Sequence, residues 1–179
     1  MNIVLIGFRG AGKSTVGKLL ANRLKRDFID TDEYIESTTG KTIKDIFEKE
    51  GEEGFRKTEA ETIAKLSKMD NKIIAAGGGV VLKSENVKNL KSNGFLILLE
   101  ATPEIIYNRL TQDEKTKQQR PSLTNKNLFD EIKHLIDKRQ QFYENAANYT
   151  INTSYVSCED VVEEIIAVIR SLTKQSHEL

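Results

Sequence analysis

Short runs of aliphatic and β-branched residues alternate along this chain with longer stretches in which apolar positions recur every three or four residues. That is the pattern of parallel strands joined by crossover helices. The runs place strands at Asn2–Ile6, Asp27–Asp30, Lys72–Ala76, Phe95–Leu99 and Tyr149–Asn152, each followed by a segment able to cross back over a sheet. The expectation is an α/β fold with a five-stranded parallel sheet flanked by helices, its strand order left open. Helix starts are marked by Ser14 after a glycine, by Thr102 ahead of Pro103, and by two capping boxes, Thr42 with Asp45 and Ser157 with Asp160.

Two stretches are longer than a crossover needs. Residues 32–69 hold three helical pieces, Glu33–Ser37, Ile43–Glu50 and Glu53–Met69, with Gly40 and Gly51 between them, and read as an insertion. Residues 111–126 form a polar run containing Arg120 and Pro121, which suits a binding loop or lid better than a passive link. With 179 residues the chain is read as one domain carrying both insertions.

Charge removes several classes of partner. Lys plus Arg and Asp plus Glu each number 27, so the net charge is zero and neither nucleic acid nor a charged membrane surface is an expected partner. The longest apolar runs, Ile3–Ile6 and Phe95–Leu99, fall far short of the roughly 18 residues that span a bilayer. The N-terminus shows no secretory pattern, so a cytoplasmic location is expected, with the chain acting as a monomer. The single cysteine, Cys158, reads as a half-buried residue at a helix start, and His134 and His177 have no partners at metal or triad spacing.

The strongest chemical signal is Gly7-Phe8-Arg9-Gly10-Ala11-Gly12-Lys13-Ser14, a G-x-x-x-x-G-K-[ST] string set directly after an apolar strand and before a helix. Gly10, Ala11 and Gly12 let backbone N–H groups wrap a phosphate, Lys13 reaches its β/γ oxygens, Ser14 can ligate Mg²⁺, and Thr15 continues the helix. A guanine-reading N-K-x-D segment is absent, since the nearest string, Asn125-Lys126-Asn127-Leu128, lacks the aspartate. The third strand runs into Gly77-Gly78-Gly79 and carries no acid, which leaves Asp30-Thr31-Asp32 at the end of the second strand to supply it. On an extended strand both carboxylates leave on one side; one could hold a magnesium-bound water and the other a substrate hydroxyl, unless Asp32 only caps the next helix.

Arginine is scarce, eight against 19 lysines, and its positions are informative. Arg56 and Glu59 stand at i, i+3, so the pair either orients a guanidinium toward an anionic substrate or is a solvated helix pair. Arg120 could close over phosphates, Arg109 could stack on a base or meet its own helix C-terminus, and Arg139 could be a surface residue.

Taken together, the Gly7–Ser14 loop, Asp30-Thr31-Asp32, Gly54-Phe55-Arg56, Gly77-Gly78-Gly79, Arg120-Pro121 and Arg139 resemble the shikimate kinase family, in order and over about the whole chain. The resemblance implies a P-loop, nucleoside-monophosphate-kinase-like fold with a lid at about 111–126 and a substrate-binding insertion at about 32–69. It implies transfer of phosphate from ATP, with Mg²⁺, to the shikimate 3-hydroxyl in the shikimate pathway. In that likeness Asp32 would hold the shikimate hydroxyls, while Arg56, Arg139 and N–H groups of Gly77, Gly78 and Gly79 would hold the carboxylate. Ser14 and Asp30 would serve the metal directly and through water, Arg120 the phosphates, and Arg109 the adenine. Many family members carry an arginine in the loop after the last strand, where this chain has Thr153-Ser154-Tyr155. The alternatives are another small-molecule P-loop kinase, for gluconate or a nucleoside monophosphate, and a nucleotide-binding module without turnover.

Overall fold

The first strand, β1 (Asn2–Ile6), is buried along its whole length because it runs through the middle of the sheet with helices on both faces. The computed structural model describes residues 1–112 and 127–175, and in it the strands pair in the order β2-β3-β1-β4-β5. The partners are β2 (Asp27–Asp30), β3 (Lys72–Ala75), β4 (Gly94–Glu100) and β5 (Tyr149–Asn152), and every pairing is parallel. All five strands lie within a residue of their expected bounds. The helices among the described residues are α1 (Lys13–Leu24), α2 (Thr31–Thr39), α3 (Ile43–Leu66), α4 (Ser84–Ser92), α5 (Pro103–Gln112), α6 (Leu128–Ala146) and α7 (Cys158–Gln175).

Alternation along β1 sorts the core into two layers. Ile3 and Leu5 pack with α1 and α7 through Val16, Leu20, Val162 and Ile165. Val4 and Ile6 turn to the other face, where α3, α4 and α6 contribute Ile63, Leu66, Leu90, Tyr143 and Ala146. Two smaller clusters fasten the functional ends. Ile35, Ile43, Ile46 and Phe55 close α2 onto α3, and Phe8 at the tip of the phosphate loop packs with Ile106 and Leu110 of α5 and Ile132 of α6.

The Thr42 capping box forms in full, and Ser157 caps its helix through its hydroxyl, which also donates to the Asp160 carboxylate at 2.7 Å. Thr42 accepts from the Asp45 N–H while Asp45 accepts from the Thr42 N–H, and Ser157 accepts from the Asp160 N–H at 3.1 Å. The predicted break at Gly51 appears as a kink (φ 70°, ψ −174°) inside α3, which continues through it and stops at Leu66 rather than Met69. Helix α2 begins at Thr31, two residues before the Glu33 expected from the pattern, and that shift rearranges the two aspartates described below.

Ile74 in β3 is 0% exposed and pairs with Val4. Ile74→Ala should lower the free energy of unfolding by about 2–5 kcal/mol, read from the urea midpoint at unchanged slope.

Candidate active site

The phosphate loop follows β1, where the N–H groups at the start of α1 face the carboxyl end of the sheet. Gly12 caps α1 at φ 97°, a left-handed conformation that a side chain would penalise. The Lys13 ammonium donates to the carbonyls of Gly7 and Phe8, both at 2.9 Å, and so lies across the loop. A cleft of about 670 Å³ opens over the loop, lined by residues 9–16 together with Asp30, Asp32, Gly77, Gly78, Arg109 and Thr153.

The two aspartates divide their work differently from the strand-based expectation. The strand ends at Asp30, whose Oδ1 caps α2 by accepting from the N–H groups of Asp32 at 3.0 Å and Glu33 at 3.4 Å. The capping residue is thus Asp30, not Asp32, because the chain turns helical at Thr31 and no extended stretch carries both carboxylates to one side. The second oxygen of Asp30 accepts from the Ser14 hydroxyl at 2.7 Å, which brings the two predicted metal residues together. Asp32 instead enters the cleft from the first turn of α2.

Across from Asp32 runs the Gly77–Gly79 turn. Its first N–H donates to the buried Thr31 hydroxyl at 2.8 Å, tying the end of β3 to the β2–α2 junction. A Cβ at Gly77 would stand 2.8 Å from Asp32 Oδ1 and 3.5 Å from Glu59 Oε1, and one at Gly79 would collide with the Arg56 guanidinium. A side chain at Gly77 or Gly79 would therefore displace the end of Asp32 or Arg56.

Arg56 and Glu59 are not a solvated helix pair. Arg56 Nη1 donates to Glu59 Oε2 at 2.9 Å and Glu59 is only 2% exposed, while Glu52 lies on the outer side of the guanidinium at 3.3 Å. Burial pulls the Arg56 pKa down, but the carboxylates of Glu59 and Glu52 outweigh it and the net shift is upward. Arg56 also borders a shallower hollow of about 770 Å³ on the α3 side. Arg139 is half-buried, with its guanidinium 5.8 Å from the Phe8 ring centroid. Neither arginine lines the main cleft; burial raises the pKa of the nearby Tyr143 hydroxyl and both arginines lower it.

Arg109 neither caps its own helix nor stands alone. It donates to Gly10 O at 3.2 Å and to the Thr153 hydroxyl and carbonyl at 3.2 Å and 2.7 Å. Thr153 donates in turn toward Ala11 O and Glu100 O. Arg120, Pro121 and His177 lie outside the described residues, as does the expected lid apart from Thr111 and Gln112. His134 is exposed on α6, and Cys158 is half-buried where α7 begins, as expected.

The sequence reading missed Thr31, Tyr143 and Thr153 as site residues. Of these only Tyr143 carried a signal, standing one helical turn after Arg139 and so on the same face.

Among the described residues no three metal-binding side chains cluster, so a Mg²⁺ here would rest on Ser14, on Asp30 through water and on oxygens of its ligand, which suits the hard oxygen donors present. No described helix is long and apolar enough to cross a membrane.

A phosphate loop after the central strand, with a glycine turn after its neighbour β3 and two aspartates at the β2–α2 junction lining the same cleft, defines a P-loop small-molecule kinase. The comparisons narrow that class. The shikimate kinase family profile matches residues 9–170. The shikimate kinases of Symbiobacterium thermophilum and Pelotomaculum thermopropionicum are each 46% identical, the first over 93% of this chain and 94% of its own, the second over 94% and 95%. The structure of shikimate kinase from Acinetobacter baumannii in complex with shikimate superposes with a TM-score of 0.88 at 37% identity, covering 95% of this chain and 93% of that one. The chain belongs to the shikimate kinase family.

Burial pushes the Tyr143 hydroxyl up to about 12, against the opposing pull of Arg139 and Arg56. Stability that depends on the neutral phenol is therefore whole below the ordinary tyrosine value of 10 and is lost as pH rises through about 12. Alkaline unfolding followed by circular dichroism should show that loss in the wild type, and Tyr143→Phe should lack that component.

Proposed function

We propose that this chain transfers the γ-phosphoryl group of ATP to the 3-hydroxyl of shikimate, giving shikimate 3-phosphate and ADP. The observation that carries the reading is the meeting of Asp32 and the Glu59-held Arg56 at the Gly77–Gly79 turn beside the phosphate loop. The reading takes Asp32 as the group that meets the acceptor hydroxyl and Arg56 as a group that meets its carboxylate. An acceptor that is both an acid and an alcohol suits such a pair. A nucleoside monophosphate or gluconate would not need two separated arginines together with a diol-reading aspartate, and a panel of acceptors assayed with ATP separates them.

In this reading the acceptor carboxylate rests on Arg56, Arg139 and the N–H groups of the glycine turn. Asp32 orients the hydroxyl and takes its proton as the oxygen bonds to the γ-phosphorus and the bond to the β-phosphate oxygen breaks. Lys13 and the backbone N–H groups of Gly10 to Ser14 offset the charge that builds on the phosphoryl oxygens, joined by Arg120. A Mg²⁺ bound with ATP supplies further charge neutralisation and alignment of the phosphates, held through Ser14 and Asp30. Arg109, fixed by Thr153, forms the wall on the adenine side. Exclusion of water from the closed site limits loss of the phosphoryl group to hydrolysis.

A coupled ADP-release assay with and without shikimate is the direct test; release that is independent of shikimate overturns the assignment. Asp32→Asn should lower kcat by about 10²–10⁴-fold while leaving ATP binding near wild type, since it removes the proton acceptor and not the phosphate cradle. Arg56→Lys should raise the KM for shikimate by about 10- to 100-fold, because a point charge cannot replace a planar fork.

A further inference from the structure

Tyr143 stands on the inner face of α6, 5% exposed and packed in the core layer with Val80, Val81 and Ala146. A tyrosine in such a layer is usually a large apolar filler whose hydroxyl must find a partner. Here the partner is part of the site. The hydroxyl donates to the Gly78 carbonyl at 2.6 Å, the middle of the glycine turn. Burial raises the pKa of this hydroxyl, and Arg139, one helical turn earlier on the same helix, and Arg56 on α3 are near enough to pull it back down.

We propose that Tyr143 is a positioning residue for the acid-binding end of the site: its hydroxyl holds the Gly78 carbonyl and so sets the direction of the Gly79 N–H, a main-chain donor that receives the acceptor carboxylate. The role rests on the shikimate reading above and adds to it the device that aligns this donor.

Peptide geometry explains how one hydroxyl can set that direction. No peptide bond in the described chain is cis, so the Gly78 carbonyl and the Gly79 N–H point in opposite directions across one rigid plane. Drawing the carbonyl toward α6 aims the Gly79 N–H to the other side of the turn from Tyr143. Without a side chain at Gly78 or Gly79 that peptide has a wide choice of orientations, and a short hydrogen bond from the core selects one. Because the phenol stays neutral up to about 12, its donor proton is present at every working pH.

Steady-state kinetics of Tyr143→Phe test the role, since that change removes only the hydroxyl. The KM for shikimate should rise about tenfold while the KM for ATP stays within about twofold of wild type. The penalty should disappear when the acceptor is the analogue of shikimate with hydrogen in place of the carboxylate, which has nothing for the aligned donor to hold; a general loosening of the fold would penalise both acceptors alike. If Tyr143→Phe does not fold, fluorotyrosine incorporated at position 143 keeps ring and hydroxyl but changes the basicity of the oxygen, and the shikimate KM should move while the ATP KM does not. A wild-type protein whose ADP release ignores shikimate overturns the underlying reading. A wild type that responds, with a variant whose two KM values keep the wild-type ratio, overturns the role of Tyr143 alone.

Discussion

Everything around the acceptor wall leans on a stretch of backbone that has no side chains of its own, Gly77 to Gly79. Asp32 and Glu59 reach its first residue, Tyr143 its second, and Arg56 its third, while Arg9 and Gly7 of the phosphate loop pack against Gly78 from the other direction. A methyl group at Gly77 or Gly79 would press on the end of Asp32 or Arg56, while one at Gly78 would stand at ordinary contact distance from the phosphate loop and the Tyr143 hydroxyl. The turn thus converts the end of a buried strand into a surface that four separate elements can touch at once.

The same crowding decides the electrostatics. A carboxylate as deeply buried as Glu59 would cost several kcal/mol if left alone, and Arg56 is the cation that compensates it. The guanidinium is consequently held in place before any ligand arrives, with its rotamer entropy spent on folding rather than on binding. On the opposite flank Tyr143 does for the Gly78 carbonyl with a neutral group what Glu59 does for Arg56 with a charged one. The glycine turn is therefore braced twice, by a buried ion pair on α3 and a buried hydroxyl on α6.

The phosphate loop was legible in the sequence because its function is carried by backbone geometry that only particular glycines permit, so residue type and role coincide. The strands were legible because central parallel strands must be apolar on both faces. The division of labour between Asp30 and Asp32 was hidden because it depends on where β2 gives way to α2, and Asp30 itself moves that boundary by capping the helix at Thr31. Arg56 with Glu59 read as two possibilities because i, i+3 spacing is the same on a wet and a dry helix face; only the packing of α3 over the glycine turn separates them. Tyr143 and Thr153 left almost no trace, since a buried tyrosine on an amphipathic helix and a lone threonine after an edge strand look like core and loop. Their importance lies in which carbonyl each hydroxyl meets, and that is a property of the tertiary structure.

Pairing between strands also fixes the spacing of donor and acceptor. β1 and β3 are parallel neighbours, with Leu5 opposite Ala75, and the Ala76 N–H donates to Leu5 O at 2.9 Å, one step past the end of β3. The phosphate loop and the glycine turn therefore leave the sheet side by side, about 4.8 Å apart. Side chains on α2, α3 and α6 refine what is recognised there, but the separation between the two walls is set by main-chain hydrogen bonds that tolerate changes of residue. Thr153 applies the same logic on the nucleotide side: it meets Ala11 of the loop, Glu100 of β4 and Arg109 of α5 through one neutral hydroxyl and its own carbonyl.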